Sequence, residues 1–273
     1  YHFFWGLEDV VGAYKEIWAS VKTNKKIGGI YSADPGGEAF GSEEFGVPAL
    51  AKQIGYGHVS TGKFQEGVAD FSPQIGKFKT EGVEIVSGHA HVPDFTTFWS
   101  QSAQQKFQPK VVTVAAALLF PAGLNAQGAR GDGLTTEVWW TPGFPYKSSL
   151  TGQTARQLAE DYEKATSRQW TQPLGYAHAI WEVGIEALKR AKNPHDRKAV
   201  RDALKTMKFD TIVGSVNWAD TPIKNVAKTA VLGGQWRMGK AVGSKHKYEL
   251  LITNNGSAPH IPVQSPVKLL GEL

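Results

Sequence analysis

Gly88-His89-Ala90-His91-Val92-Pro93-Asp94-Phe95 is the stretch whose reading decides what this chain is. Taken alone, His-x-His offers half of a divalent metal site, with Asp94 close by. Taken in place, it follows the apolar run 83–87 and precedes a helical pattern over 94–107. That makes it the loop at the mouth of a parallel sheet, where open α/β folds hold a small ligand. The first reading gives a metal-dependent hydrolase and the second a carrier. The flanking sequence favours the carrier.

Working outward, apolar residues recur at three- and four-residue steps over 9–22, which predicts an amphipathic helix, and 26–32 reads as a short strand. The turn-rich Asp34-Pro35-Gly36-Gly37 ends that strand. A helix over 43–54, a strand over 56–61 and a helix over 72–79 follow, the last with Ser72 as cap and Pro73 at its first position. Strands at 83–87, 111–118 and 134–140 alternate with these helices, which predicts a parallel sheet covered on both faces. The strand-end rule then selects the loops 34–40, 89–93, 119–122 and 139–146. Glu8, Asp9 and Asp70 read as helix-start residues. The second half begins with helices over 153–166, 174–192 and 196–207. The middle one carries Ala177, Ile180, Trp181, Gly184, Ile185 and Leu188 on one face, an apolar stripe that calls for cover. Strands at 213–218, 230–236 and 248–252 either join the first sheet or build a second.

Bulk composition narrows the function classes. With 41% hydrophobic and 20% charged residues, 273 residues can bury a substantial core. The longest apolar run, 111–123, is interrupted by Thr113 and Pro121 and falls short of a membrane span. The absence of cysteine excludes disulfides, thiolate metal ligands and thiol catalysis. The net charge of +5 is scattered rather than striped, so nucleic acid is not an expected partner. Neither a Gly-x-Ser-x-Gly elbow nor a phosphate-binding glycine loop is present.

Several segments, in order, resemble the type I periplasmic solute-binding proteins of ABC importers, the leucine/isoleucine/valine-binding class. They are 26–34 leading to Phe40-Gly41, the stretch 67–75, Gly82-Val83-Glu84-Ile85-Val86, Leu174-Gly175-Tyr176-Ala177-His178-Ala179-Ile180, and 209–218. The resemblance implies two Rossmann-like α/β lobes of parallel sheet flanked by helices and joined by a hinge. It makes 1–170 and 228–273 the second lobe and 171–227 the remainder of the first. Tyr1-His2-Phe3-Phe4-Trp5 resembles the crossing between lobes, so the opening strands of the first lobe are expected to be missing.

The same resemblance implies ligand contacts. An aromatic residue before glycine in the first loop matches Phe40, and a ring in the third loop matches His91 or, one register away, His89. The family's acidic residue for an α-ammonium group falls in Leu118-Leu119-Phe120-Pro121-Ala122, which has no carboxylate. A buried ammonium without a counter-charge is costly, so the expected cargo is an aromatic or other small carboxylate rather than an amino acid. Phe120, Trp139, Trp140 and Phe144 supply candidate ring contacts, with one of the paired tryptophans facing the core because strand neighbours point oppositely. Tyr176 heads its helix beside them. The expected protein is a monomeric, non-enzymatic carrier without metal or cofactor. It would work in the periplasm, or tethered outside a Gram-positive cell, and deliver cargo to an inner-membrane permease by hinge closure. A ligand-binding sensory domain of the same fold and the metal-dependent hydrolase are the alternatives.

Overall fold

The apolar runs become strands close to where their pattern places them. The computed structural model describes residues 1–272. In chain order the elements are β1 (His2–Phe4), α1 (Leu7–Ala19), β2 (Lys26–Ser32), α2 (Pro35–Phe40), α3 (Val47–Gln53), β3 (Gly57–Phe64), α4 (Ser72–Glu81), β4 (Ile85–Ala90), α5 (Val92–Gln104), β5 (Val111–Ala116), α6 (Pro121–Ala126) and β6 (Thr135–Val138). Then come α7 (Ala155–Thr166), α8 (Pro173–Arg190), α9 (Arg197–Lys205), β7 (Lys208–Thr211), β8 (Gly214–Asn217), β9 (Val226–Lys228), β10 (Leu232–Met238), α10 (Gly239–Val242) and β11 (Tyr248–Asn254).

Internal contacts divide the chain into two units. The larger comprises residues 7–137, 232–256 and 263–273, and the smaller 1–6, 138–231 and 257–262. The first boundary therefore lies at 137/138, whereas the sequence reading places it near 170. Side-chain hydrogen bonds explain the difference. Trp139 N–H donates to Gln172 Oε1 (2.8 Å) and Trp140 Nε1–H to the Ile212 carbonyl (3.2 Å), tying the segment after β6 to the smaller unit. Residues 257–262 join it likewise, through Ser257 to the Val231 carbonyl and Tyr146 to His260.

The larger unit holds a seven-stranded sheet in the order β11-β10-β6-β5-β4-β2-β3. Strands β3, β2, β4, β5 and β6 pair in parallel, while β10 and β11 pair antiparallel at one edge, so the sheet is mixed. Strands β4 and β2 are buried along nearly their whole length, as a sheet covered on both faces requires. From α1, Tyr14, Ile17 and Trp18 are fully enclosed. The Trp18 indole donates to Thr113 Oγ1, which itself bonds Thr135 Oγ1. A second core is built on phenylalanine rings: Phe71, Phe78, Phe95 and Phe98 are completely buried, with Phe71 edge-on to Phe98 at 5.6 Å. Gly28 leaves room for the Phe78 ring, whose atoms a β-carbon would meet at 2.9 Å.

Two local expectations change. The Asp34-Pro35-Gly36-Gly37 turn is the start of a helix, α2, with the Asp34 side chain accepting from Gly37 N–H and Pro35 in the first turn. Ser72 lies inside α4, whose N-cap position belongs to Phe71.

In the smaller unit, β1 pairs in parallel with β9 and β7 pairs antiparallel with β8. Helix α7 begins with a full capping box between Thr154 and Gln157. Helix α8 packs Val183 and Ala187 against Met207, Val216, Trp218 and Ala227. The face it buries is Gly175, Tyr176, Ala179, Glu182, Val183 and Ala187. The stripe expected to need cover faces the other way, with Trp181 70% and Ile180 60% exposed. Glu182 tips the balance: its carboxylate accepts from Ser149 N–H, Ser149 Oγ–H and Ile212 N–H. A charge so satisfied can be buried, and it fixes which face of the helix turns inward.

Candidate functional site

Three adjacent strands of the larger sheet, β4, β2 and β3, end side by side, and their following residues form a polar cluster. Asp34 lies just beyond β2, Glu66 beyond β3, and His89 and His91 straddle the end of β4. His89 is the penultimate residue of the strand and is only 8% exposed, while His91 is the exposed N-cap residue of α5. Strand alternation alone would put residues 89 and 91 on one face; the strand ends between them, so one ring is enclosed and the other open.

His89 Nδ1 lies 2.9 Å from Ser32 Oγ and 3.6 Å from Asp34 Oδ1. On the other side of the ring, a β-carbon on Gly36 would fall 2.4 Å from His89 Nε2, so α2 can pack on the imidazole only because that residue is glycine. Burial pushes the His89 pKa below its ordinary value. Asp34 opposes this, His91 adds to it and Glu66 opposes it. His89 is therefore neutral at neutral pH, so a protonated His89 pairing a carboxylate is not the state this fold favours.

Burial pulls the Asp34 pKa up. The Ser32 hydroxyl, the Gly37 N–H, His89 and the Gly36 N–H outweigh it, so the net shift is downward and Asp34 is ionised. Asp34 Oδ1 accepts from Gly37 N–H at 2.8 Å. Oδ2 is shut off from solvent, accepts no hydrogen bond among the described residues, and lies 3.3 Å from His91 Nε2. The same nitrogen is 3.6 Å from Glu66 Oε1. Asp94, considered above as a metal donor, is instead a support: its buried carboxylate accepts from Gly67 N–H at 2.8 Å and holds the loop that carries Glu66.

Phe40 stands beside this cluster, half-buried, its ring 5.7 Å from His89 and 6.3 Å from Tyr14. Phe120 caps α6 in the loop after β5 and is likewise half-buried. The structure thus groups Phe40, His89 and His91 with Asp34 and Glu66. The sequence reading missed both acids as site residues. Asp34 carried a usable signal, since an Asp-Pro pair directly after a strand marks a capped helix at the strand tip. Glu66 had none.

The remaining candidates belong to the smaller unit. Trp139, Tyr176, Phe4 and Trp5 form one aromatic group. Tyr176 is edge-on to Trp139 at 5.3 Å and to Phe4 at 4.9 Å, and Trp5 is 5.9 Å from Trp139. The Tyr176 hydroxyl bonds Thr229 Oγ1 at 2.6 Å, and burial pushes its pKa up, so only the ring is left to present. Trp140 is a core residue: it is fully enclosed under α8, where a β-carbon on Gly175 would lie 2.4 Å from its ring. That corrects its place among the ring contacts. Phe144 is also buried, edge-on to Tyr146 at 5.9 Å.

Residues 1–241 match the family described as periplasmic binding protein, and the chain belongs to that family. Solved structures share the fold at low identity. A leucine-binding protein from Thermotoga maritima superposes with a TM-score of 0.67 at 17% identity, covering 90% of this chain and 65% of that one. A leucine-, isoleucine-, valine-, threonine- and alanine-binding protein from Brucella ovis, in closed conformation, gives 0.68 at 18%, covering 96% and 63%. A fatty acid ABC transporter substrate-binding protein from Thermomonospora curvata gives 0.62 at 16%, covering 94% and 65%. The chain therefore spans a little under two thirds of the length of these proteins.

Proposed function

We propose that this chain is the solute-binding part of an ABC importer, working outside the cytoplasmic membrane and passing a small carboxylate with an apolar body to a membrane permease. Family membership supports a binding role over catalysis. Among the described residues no helix is long and apolar enough to cross a membrane. The solutes named for the three structural relatives, mostly aliphatic amino acids (with threonine among them) and a fatty acid, are all small carboxylates or carboxylates with an apolar body. The single observation that carries the cargo class is the pairing, at neighbouring strand tips, of the half-buried Phe40 ring with His89 and the open His91. Phe40 offers a face for an aromatic or branched body, and His91 offers a donor for the carboxylate. Phe120, on the unit that carries Phe40, is a further ring in this reading.

Asp34 supports a second reading. The sequence argument against an amino acid rests on the lack of a carboxylate in 118–122, the loop after β5. Asp34 supplies one at the end of β2, two strands away in the sheet, with an oxygen that accepts no hydrogen bond among the described residues and has His91 Nε2 3.3 Å away. An α-ammonium group is a suitable partner for it.

A thermal-shift series separates the two: benzoate-type acids, branched keto acids, branched-chain amino acids and medium-chain fatty acids, each at fixed excess. Stabilisation by the acids lacking an amino group supports the first reading; stabilisation by amino acids alone supports the second. Under the first, His91→Ala weakens carboxylate binding about 10- to 100-fold, the size of a lost hydrogen bond to a charged group. Unchanged affinity in that variant would remove His91 from the site.

A further inference from the structure

The geometry points to a divalent transition-metal site formed by Asp34, Glu66 and His91. One donor atom from each lies within 4.8 Å of the other two. His91 Nε2 lies 3.3 Å from Asp34 Oδ2 and 3.6 Å from Glu66 Oε1. Donors held about 2.0–2.2 Å from a tetrahedral cation are spaced about 3.3–3.6 Å from one another, and both separations from His91 Nε2 already match that spacing.

Two further observations are independent of the spacing. Asp34 Oδ2 faces His91 without a hydrogen bond and without solvent, and an ionised oxygen in that condition is costly unless a cation meets it. The cluster also gathers two carboxylates around one imidazole, a surplus of negative charge that a dication balances. Supports for the donors are already built. Asp34 is fixed through its other oxygen by Gly37 N–H, and the Glu66 loop through Gly67 N–H by Asp94. The nitrogen donor selects borderline ions such as Zn²⁺ over Mg²⁺ or Ca²⁺. His91 and Glu66 are both about half exposed, so a cation there keeps positions open to an outside ligand. A carboxylate cargo suits such a position, and the bound ion would convert an acidic spot into one that accepts an anion. That last step rests on the cargo reading above; the cation site itself does not.

Calorimetric titration of chelator-stripped protein with ZnCl2, and with MgCl2 in parallel, needs no cargo. The expected result is one equivalent of Zn²⁺ at micromolar affinity or tighter, and far weaker Mg²⁺ binding. Asp34→Asn and His91→Ala should each weaken Zn²⁺ at least tenfold, while His195→Ala, on an exposed residue of the other unit, leaves it unchanged. Both test variants keep the fold within reach, because Asn can cap α2 as Asp does and the His91 side chain makes no cap bond to α5. Absence of saturable Zn²⁺ binding, or full affinity in both Asp34→Asn and His91→Ala, overturns the site.

Discussion

The two units of this chain treat hydrophobic pattern differently. In the larger one, the apolar runs at 26–32, 83–87 and 111–118 become buried strands, and the residues after them arrive at one edge of the sheet. In the smaller one, the longest amphipathic helix, α8, turns its most conspicuous apolar residues outward, leaving Trp181, Ile180 and Leu188 exposed. A parallel ladder leaves a strand little choice, since both faces are covered and every second residue is committed. A helix can present any face, and a well-bonded Glu182 outweighs three apolar neighbours. Periodicity says what a helix could bury, and a satisfied polar group decides what it does bury.

The sharpest way to break that contrast is to disturb the ladder itself. Gly88 sits inside β4 with φ +137°, and a β-carbon there would fall 1.9 Å from the Ile30 carbonyl oxygen. Gly88→Val is expected to cost about 3 kcal/mol or more, combining backbone strain with a clash against the paired strand. Urea unfolding followed by far-UV circular dichroism reads this directly; a loss below about 1 kcal/mol would show that the ladder tolerates a shift at the strand that aims His89.

A second, intermediate effect concerns Glu137 at the end of β6. It is fully buried, with Tyr14 O–H donating to its Oε2 at 2.6 Å. Burial raises its pKa, and the hydrogen bonds from Tyr14 and Thr136 only partly offset that. Because the folded pKa lies above the unfolded one, the stability tied to the protonated form is complete below the ordinary value of 4.5 and is lost as pH rises through the raised folded value. Glu137→Gln keeps an acceptor for Tyr14 and removes the titration. The variant is therefore expected to gain on the parent protein as pH rises, measured by melting temperature from pH 4 to 8. Parallel curves for the two proteins would contradict this.

The smallest effect is expected on α8. Trp181→Ser should change stability by no more than about 0.5 kcal/mol, because the ring is 70% exposed. A loss above 1.5 kcal/mol in the urea transition would mean that this face is covered in solution and would erase the contrast between the units.

Much of the candidate site is legible in the sequence, unevenly. The strand-end rule picked the loops that carry Asp34, Phe40, His89, His91 and Phe120 from periodicity alone. Within those loops it could not rank side chains. The sequence leaves His91 and, one register away, His89 as alternatives for one contact; His89 is enclosed between Ser32 and α2 and held neutral. Trp139 and Trp140 are read as strand neighbours that point oppositely, but both lie beyond the end of β6 and both are buried, Trp140 against Gly175 of a helix 35 positions away. Glu66 was invisible, because an acid in a loop has no spacing or period to mark it.

The order of apolar runs and breakers therefore determined by itself that this is an α/β chain with a sheet whose strand tips converge, since strand and helix periods are local properties of sequence. The partners at those tips, the buried face of α8 and the boundary after Glu137 were decided only in three dimensions. Each depends on which distant hydrogen bond satisfies a buried polar group, and no window of sequence contains both ends of such a bond.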